Sequence, residues 1–239
     1  KEKPSLIKIR THIGYGSPLQ DSEKSHGAPL GEEAVAETKK FFNWPEEQFH
    51  VPDEVPAFYR ENAEKGENAE AEWKAMFSEY EKKYPDLAAE FNRRIKGELP
   101  DGWESSIPVF SPDDGAIATR AASGKVLNAI AGVVPELLGG SADLAPSNKS
   151  LISDADDQDP EHPEGRNFHF GVREHAMGAA VNGMALHGGL IPYGATFMVF
   201  ADYCRPALRL AAIMQTHTIF IFTHDSIGVG EDGPTHQPV

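Results

Sequence analysis

The sequence predicts an α/β protein built on parallel sheets with helices on both faces. Three observations carry that prediction. The 239 residues are 40% apolar and 25% charged, with 22 Gly and 18 Pro, the profile of a globular chain able to bury a real core. Beyond Ser111, short apolar runs alternate with helical stretches in a βαβ succession. The polar residues that look out of place fall at the ends of those runs, where open parallel sheets bind ligands.

Residues 4–16 begin the chain of elements: an apolar run with the β-branched Ile7, Ile9, Thr11 and Ile13 ends in Gly-Tyr-Gly and reads as a strand and turn. Acidic helices follow over residues 32–42, 54–63 and 68–96, the last with Trp73, Met76, Phe77, Tyr80, Tyr84, Leu87 and Phe91 at helical spacing. This charge-rich stretch is a solvated helical face over a narrow apolar stripe and is assigned no chemistry. Residues 101–112 have the Pro, Asp, Gly and Ser composition of a linker, separating a first domain over residues 1–100 from a second over 113–239.

A helix over residues 113–134 stops at Pro135. Apolar runs at 136–139, 167–171, 190–196 and 218–223 then alternate with helices at 174–186 and 200–214. Asp143 follows the first run, Arg173 and Glu174 the second, Thr196 and Phe197 the third, and His224 and Asp225 the fourth. Four strand ends on one edge can converge on one pocket, whereas unrelated surface residues would scatter.

The balance of 37 acidic against 22 basic residues, a formal charge of −15, repels a phosphate backbone and an anionic membrane surface. Nucleic acid is not an expected partner. Cys204 is alone in the sequence, so it can form neither an internal disulfide nor a zinc cage, and a lone thiol fits a reducing compartment, the cytoplasm or a plastid-type stroma. The first residues show no signal-peptide pattern and no initiator Met. Residues 176–201 lack Asp, Glu, Lys and Arg and are nominally long enough to cross a bilayer. Gly178, Gly183, Gly188, Gly189, Pro192, Asn182 and His187 interrupt the stretch, and a buried helix followed by a buried strand is the better account, with no membrane partner.

Three constellations could carry chemistry. Glu174 stands where a strand hands over to a helix rich in small residues. Burial there favours the neutral acid while the helix N-terminus favours the anion, so Glu174 either stays protonated and donates a hydrogen bond, or caps the helix or pairs with Arg173. Phe197, Phe200 and Tyr203 are spaced i, i+3, i+6, as a core stripe or as a platform for a flat ring. His224, Asp225, Glu231, Asp232 and His236 crowd a Gly-rich loop, which reads as a binding loop or a solvated acidic one.

Other motifs are set aside. Gly228, Gly230 and Gly233 spell GxGxxG, but Pro234 and Pro238 prevent a following helix, and Glu231 and Asp232 would repel a pyrophosphate. Asp154, Asp156, Asp157 and Asp159 have an acid where a calcium loop requires Gly. Asn148-Lys149-Ser150 is a glycosylation sequon that matters only in a secreted protein. The sequence contains no HExxH, P-loop or GxSxG signature.

Together, IGYGSP, SHGAPLG, ATR, GGSADLAPSN, FGVREHAMG, PYGATF and THDSIGVGEDGPTHQP resemble, in order and over nearly the whole chain, the transketolase family of thiamine-diphosphate enzymes in sugar-phosphate metabolism. The resemblance implies the thiamine-diphosphate-binding fold, incomplete in this chain. It also implies roles. Glu174 resembles the glutamate that hydrogen-bonds the aminopyrimidine ring and promotes the imino tautomer, helping to deprotonate the thiazolium carbon. Phe197, Phe200 and Tyr203 look like the aromatic wall against that ring, and Asp143 like a further residue of the cofactor pocket. Arg120, Ser147 and His224 match positions that bind the sugar phosphate, an arrangement that suits a dianion. His26, Asp232 and His236 match residues that line the substrate channel and contact hydroxyls or relay protons, so that Glu174, His26 and His236 form the implied catalytic set. The implied reaction moves a two-carbon ketol unit from a ketose phosphate, such as xylulose 5-phosphate, to an aldose phosphate.

The family's metal signature, GDG followed by Asn, is not in this sequence, and Asp101, Asp114 and Asp232 precede Gly without that context. Ligands for Mg²⁺ or Ca²⁺ are therefore expected outside this chain. The chain looks like an internal segment of the enzyme: the end of the diphosphate-binding domain to residue 100 and the first part of the pyrimidine-binding domain from 113. The family forms homodimers with the cofactor between subunits. The alternatives are another thiamine-diphosphate enzyme, such as dihydroxyacetone synthase or deoxyxylulose-phosphate synthase, and a piece that folds and associates without catalysis. Ser147 with Arg120 and the HGAPL segment favour ketol transfer.

Overall fold

The computed structural model describes residues 5–237; Pro4, where the predicted strand begins, and Pro238 lie outside the described residues. The chain divides into two compact units, Lys1–Met76 and Phe77–Val239. That division follows packing, whereas the boundary expected at residue 100 follows composition.

In the first unit, residues 5–12 have no regular secondary structure and leave Leu6, Ile7 and Ile9 exposed, so the expected strand does not form. A strand is stabilised by its neighbours, and the one sheet among the described residues is drawn from residue 137 onward. The turn that follows is formed. Gly16 has φ 80°, and a Cβ there would lie 2.6 Å from the Phe41 ring. After the short α1, Lys24–Gly27, helix α2, Glu32–Phe41, opens on Glu32 and Glu33 and closes on Lys39 and Lys40, complementing its dipole at both ends.

Helix α3, Glu54–Lys83, is continuous and joins the predicted helix over 54–63 to the first part of the one over 68–96. Gly66 costs about 1 kcal/mol relative to Ala, too little to break a helix laced by Lys65–Glu61 and Lys74–Glu70 pairs. Pro85 does break it. Proline lacks the N–H and pushes the residue before it out of helical geometry, and Tyr84 has φ −136°. The predicted helix over 68–96 is thus two, the second being α4, Pro85–Ile95.

Within the second unit α4 is held by a buried fork: Arg93 donates to both carboxylate oxygens of Glu136, at 2.5 and 2.9 Å, with Arg94 Nε 3.7 Å away. Burial, the largest single influence, opposes ionisation of Glu136, but the Arg93 hydrogen bonds, a backbone hydrogen bond and the charges of Arg93 and Arg94 together outweigh it and hold the carboxyl below the usual glutamate range. In the linker-like stretch, Trp103 opens a 3₁₀ turn and packs on the core formed by Leu127, Ala131, Val134, Leu137, Ile152 and Tyr193. Helix α5 spans Thr119–Ala131 rather than starting at 113, because Ser111 caps only a 3₁₀ turn, Pro112–Asp114, which Gly115 ends at φ 80°.

The sheet is parallel throughout, in the order β2-β1-β3-β4, with β1 Leu137–Ser141, β2 Asn167–His169, β3 Ile191–Phe197 and β4 Ile219–Thr223. Helices α6, Ala145–Asn148, α7, Glu174–His187, and α8, Ala201–Met214, complete the unit. Tyr193 of β3 faces the α5 side, within the core above. The next residue, Gly194, faces α7, where an added Cβ would lie 3.1 Å from Met177. Helices therefore cover both faces, as predicted. Gly178 lets α7 and α8 approach closely, since a Cβ there would sit 2.6 Å from Cys204 Sγ. Residues 176–201 resolve into helix and then strand, and among the described residues no helix is long and apolar enough to cross a membrane.

Candidate active site

Parallel pairing places the carboxyl ends of all four strands on one edge: Ser141 lies opposite His169 and Ala195, and Phe197 opposite Thr223. Two cavities open there. The first, about 530 Å³, is lined by Asp143, Val172, Glu174, Phe200, Tyr203 and His236 among others. Glu174 is the first residue of α7 and is 8% exposed. Its carboxyl makes no hydrogen bond or ion pair among the described residues, and Arg173 turns away to donate to the Phe170 carbonyl at 2.8 Å. The pairing reading of Glu174 thus gives way to a buried acid open to a cavity. Its neighbour Cys204 feels it: burial first, and then the Glu174 charge, push the thiol above its usual range.

The aromatic stripe is divided between the two cavities. Phe197 and Phe200 stack at 5.8 Å and 8°, and Phe200 meets Tyr203 at 6.2 Å. Phe200 and Tyr203 line the Glu174 cavity, with Tyr203 66% exposed at its mouth, whereas Phe197 is buried and lines the second cavity. His236 sets its ring edge against both phenylalanines, at 6.0 Å from Phe197 and 5.5 Å from Phe200. A buried carboxyl without a protein partner beside a stacked aromatic wall fits the flat aminopyrimidine of thiamine diphosphate, which offers polar edges and two apolar faces.

The second cavity, also about 530 Å³, gathers Arg120, Ser147, Lys149, Phe197, His224 and Asp232. The His224 ring lies 3.8 Å from that of Phe197. Its polar contacts form one chain. Arg120 Nη1 lies 2.7 Å from His224 Nε2, and His224 Nδ1 lies 2.9 Å from Thr223 Oγ1. Asn148 Nδ2 donates to Thr223 Oγ1 at 2.7 Å, and Ser141 Oγ lies 2.9 Å from Asn148 Oδ1. Asp232 Oδ2 is 3.8 Å from His224 Nε2. Burial, and after it the Arg120 charge, hold His224 below the usual histidine range, so the ring is neutral at neutral pH.

Ten of the predicted site residues therefore meet at two adjoining cavities. His26 lies in the other unit, exposed on α1. Thr196 is buried and lines neither cavity. The acidic loop is occupied locally: Asp157 pairs with His169 at 2.9 Å, and Asp159 accepts from the backbone N–H groups of Glu161 and His162. Sequence reasoning missed Ser141, Asn148 and Thr223. The one local pattern at Asn148, the sequon set aside above, does not announce this role, and the residue is wholly buried.

Comparisons with known proteins identify the family. Residues 115–239 match the family model described as "Transketolase, pyrimidine binding domain", and residues 1–100 match "Transketolase, thiamine diphosphate binding domain". The chain is 50% identical over 238 residues to the transketolase of Aquifex aeolicus, covering 100% of this chain and 34% of that protein. It is 53% identical over 240 residues to that of Halalkalibacterium halodurans, covering 100% and 36%. The crystal structure of Pichia stipitis transketolase in complex with sedoheptulose-7-phosphate superposes with a TM-score of 0.85 at 44% identity, covering 99% of this chain and 36% of that one. The chain spans about a third of the length of these relatives. On its sequence and its fold, the chain belongs to the transketolase family.

Proposed function

We propose that this chain forms the pyrimidine side of a transketolase active site, within an enzyme that transfers a two-carbon ketol unit from a ketose phosphate such as xylulose 5-phosphate to an aldose phosphate. The observation that carries the proposal is the buried, unpartnered Glu174 facing Phe200 and Tyr203, one cavity away from the Arg120, Ser147 and His224 pocket. Residues 1–100 are assigned to the end of the diphosphate-binding domain, 101–112 to a linker and 113–239 to the start of the pyrimidine-binding domain; the two family matches support this division.

Thiamine diphosphate, when bound, supplies an electron sink for breaking the carbon–carbon bond beside a ketose carbonyl. Glu174 would present its carboxyl to the pyrimidine edge and share a proton with it. Phe200 and Tyr203 would hold the ring, with Phe197 supporting Phe200 and Asp143 lining the pocket at the end of β1. Arg120, Ser147 and His224 bind the phosphate group, the guanidinium supplying the fixed charge. His236, Asp232 and His26 contact hydroxyls or relay protons. Mg²⁺ or Ca²⁺ is assigned to ligands outside this chain, and the enzyme to a homodimer. The cytoplasm or a plastid stroma is the proposed compartment, supported by the single cysteine and by a chloroplastic relative from Craterostigma plantagineum.

The test is a donor panel on the complete enzyme carrying this segment. Ketol transfer from xylulose 5-phosphate should far exceed that from unphosphorylated xylulose, and pyruvate should not serve as donor. Equal rates with both sugars would remove the phosphate assignment, and turnover with pyruvate alone would move the chain to another thiamine-diphosphate enzyme.

A further inference from the structure

Arg120 only donates hydrogen bonds, so Nε2 of His224 is the acceptor, and the neutral ring carries its proton on Nδ1. That N–H then donates to Thr223 Oγ1. Asn148 Nδ2 already occupies one lone pair of the same oxygen, which leaves the hydroxyl one lone pair and one proton to offer the imidazole. Thr223 and Asn148 are both buried, and the His224 side chain is 4% exposed, so solvent does not stand in for these contacts.

An anion entering the second cavity meets the same guanidinium that His224 holds. We propose that His224 is a tautomer switch set by Arg120 and made reversible by Thr223. With Arg120 on the ring, Nδ1–H donates to Thr223 Oγ1. With Arg120 drawn onto a phosphate-type anion, Nε2–H donates to that anion and the Thr223 hydroxyl turns to donate into Nδ1. One proton leaves Nδ1 and one arrives at Nε2 by exchange with solvent, so the ring stays neutral. Thr223 is a positioning residue, because a hydroxyl accepts in one state and donates in the other, and Asn148 fixes its oxygen. Asp232, Asp225 and His236 are the other ionisable groups that act on the ring. The anion half of the proposal rests on the phosphate-site reading above; the tautomer half does not.

Nitrogen NMR of the imidazoles tests this in the isotope-labelled full chain, at a pH above neutrality, with His224 identified among the 10 histidines by the signals lost in His224→Asn. The native chain should show Nδ1–H at His224, and Arg120→Met should convert it to Nε2–H without any ligand. A native Nε2–H, or an Nδ1–H that persists in Arg120→Met, overturns the switch. In the Arg120→Met background Thr223→Val should replace the Nε2–H form by a mixture of tautomers, while Thr223→Ser keeps it; a pure Nε2–H form in Arg120→Met/Thr223→Val overturns the part given to Thr223. Inorganic phosphate added to the native chain should reproduce the Arg120→Met signature. Phosphate that protonates both nitrogens overturns the anion half. Phosphate without effect, beside a conversion in Arg120→Met, removes the phosphate-site reading and leaves the switch standing.

Discussion

The two cavities at the sheet edge are of equal size and opposite chemistry. In one, the Glu174 carboxyl has no hydrogen-bond or ion-pair partner among the described residues and faces aromatic rings; behind the wall of the other, each polar group from Ser141 to Arg120 is bonded to the next. Leaving a buried polar group unmatched costs stability unless something else completes it. The Glu174 cavity leaves its carboxyl open to a guest, whereas the polar chain behind His224 is finished by the protein and must open a bond to admit one. Substitutions in the first should cost function and little stability, and those in the second should cost both.

Glu174→Gln gives the largest effect. The amide keeps the shape and loses the carboxylic proton, so kcat of ketol transfer in the complete enzyme should fall by about 10²–10⁴, the usual contribution of a positioned acid. Thermal unfolding should move little, because no hydrogen bond or ion pair among the described residues is lost. Turnover within a few-fold of the parent would end the assignment of Glu174.

Glu136 supplies the reference for a pure stability loss, since it sits at the opposite end of β1 from both cavities. Glu136→Leu leaves Arg93 without its fork, and denaturant unfolding should show about 3–5 kcal/mol lost, as when one partner of a buried pair is removed. The cavity residues should be unaffected, as judged by an unchanged His224 imidazole spectrum. A loss below about 1 kcal/mol would place Arg93 among exposed cations, whose pairs contribute that little.

Between these extremes lies what the sequence could and could not say. Strand ends are legible because apolar runs locate the sheet, and a parallel sheet aligns its carboxyl ends whatever the contacts between them. Glu174, His224 and Asp143 were therefore found from position alone. The strand expected near Ile7 and Ile9 failed because β-branched residues describe a preference that only a neighbouring strand can realise. The helix expected over 68–96 missed its break because the apolar spacing runs through Pro85 although the backbone cannot. The hydrogen bonds joining Asn148 to Thr223 and Arg93 to Glu136 link residues remote in sequence, and no local pattern announces them. At Asn148 the one local pattern, a sequon set aside from the sequence, says nothing of the buried contacts the side chain makes.

Asn148 is accordingly the next test of the comparison. Asn148→Ala strips Thr223 Oγ1 of a donor, while Ser141 keeps the Ala195 carbonyl at 2.9 Å as an acceptor. The penalty falls mainly on one buried hydroxyl, and thermal or denaturant unfolding should show about 1–3 kcal/mol lost. Unlike Glu174→Gln, this variant should be less stable even with no ligand added. Unchanged stability would mean that the second cavity is no more finished than the first.

The smallest effect is the pH dependence that His224 imposes. Its folded value lies below the ordinary 6.5, chiefly through burial and then through Arg120, with Asp232 and Asp225 acting the other way and His236 with Arg120. Below 6.5 the unfolded chain takes up this proton before the folded chain does, so the unfolded state gains. The contribution to stability is full above 6.5, declines as pH falls from 6.5 toward the folded value, and changes no further below it. The other histidines titrate in the same range, so the informative quantity is native stability minus that of His224→Asn, followed by denaturant unfolding across this window. That difference should shrink as the solution is acidified. A constant difference would mean that His224 takes up its proton as readily in the folded chain as in the unfolded one, and the second cavity would then hold a charge that its Arg120 neighbour disfavours.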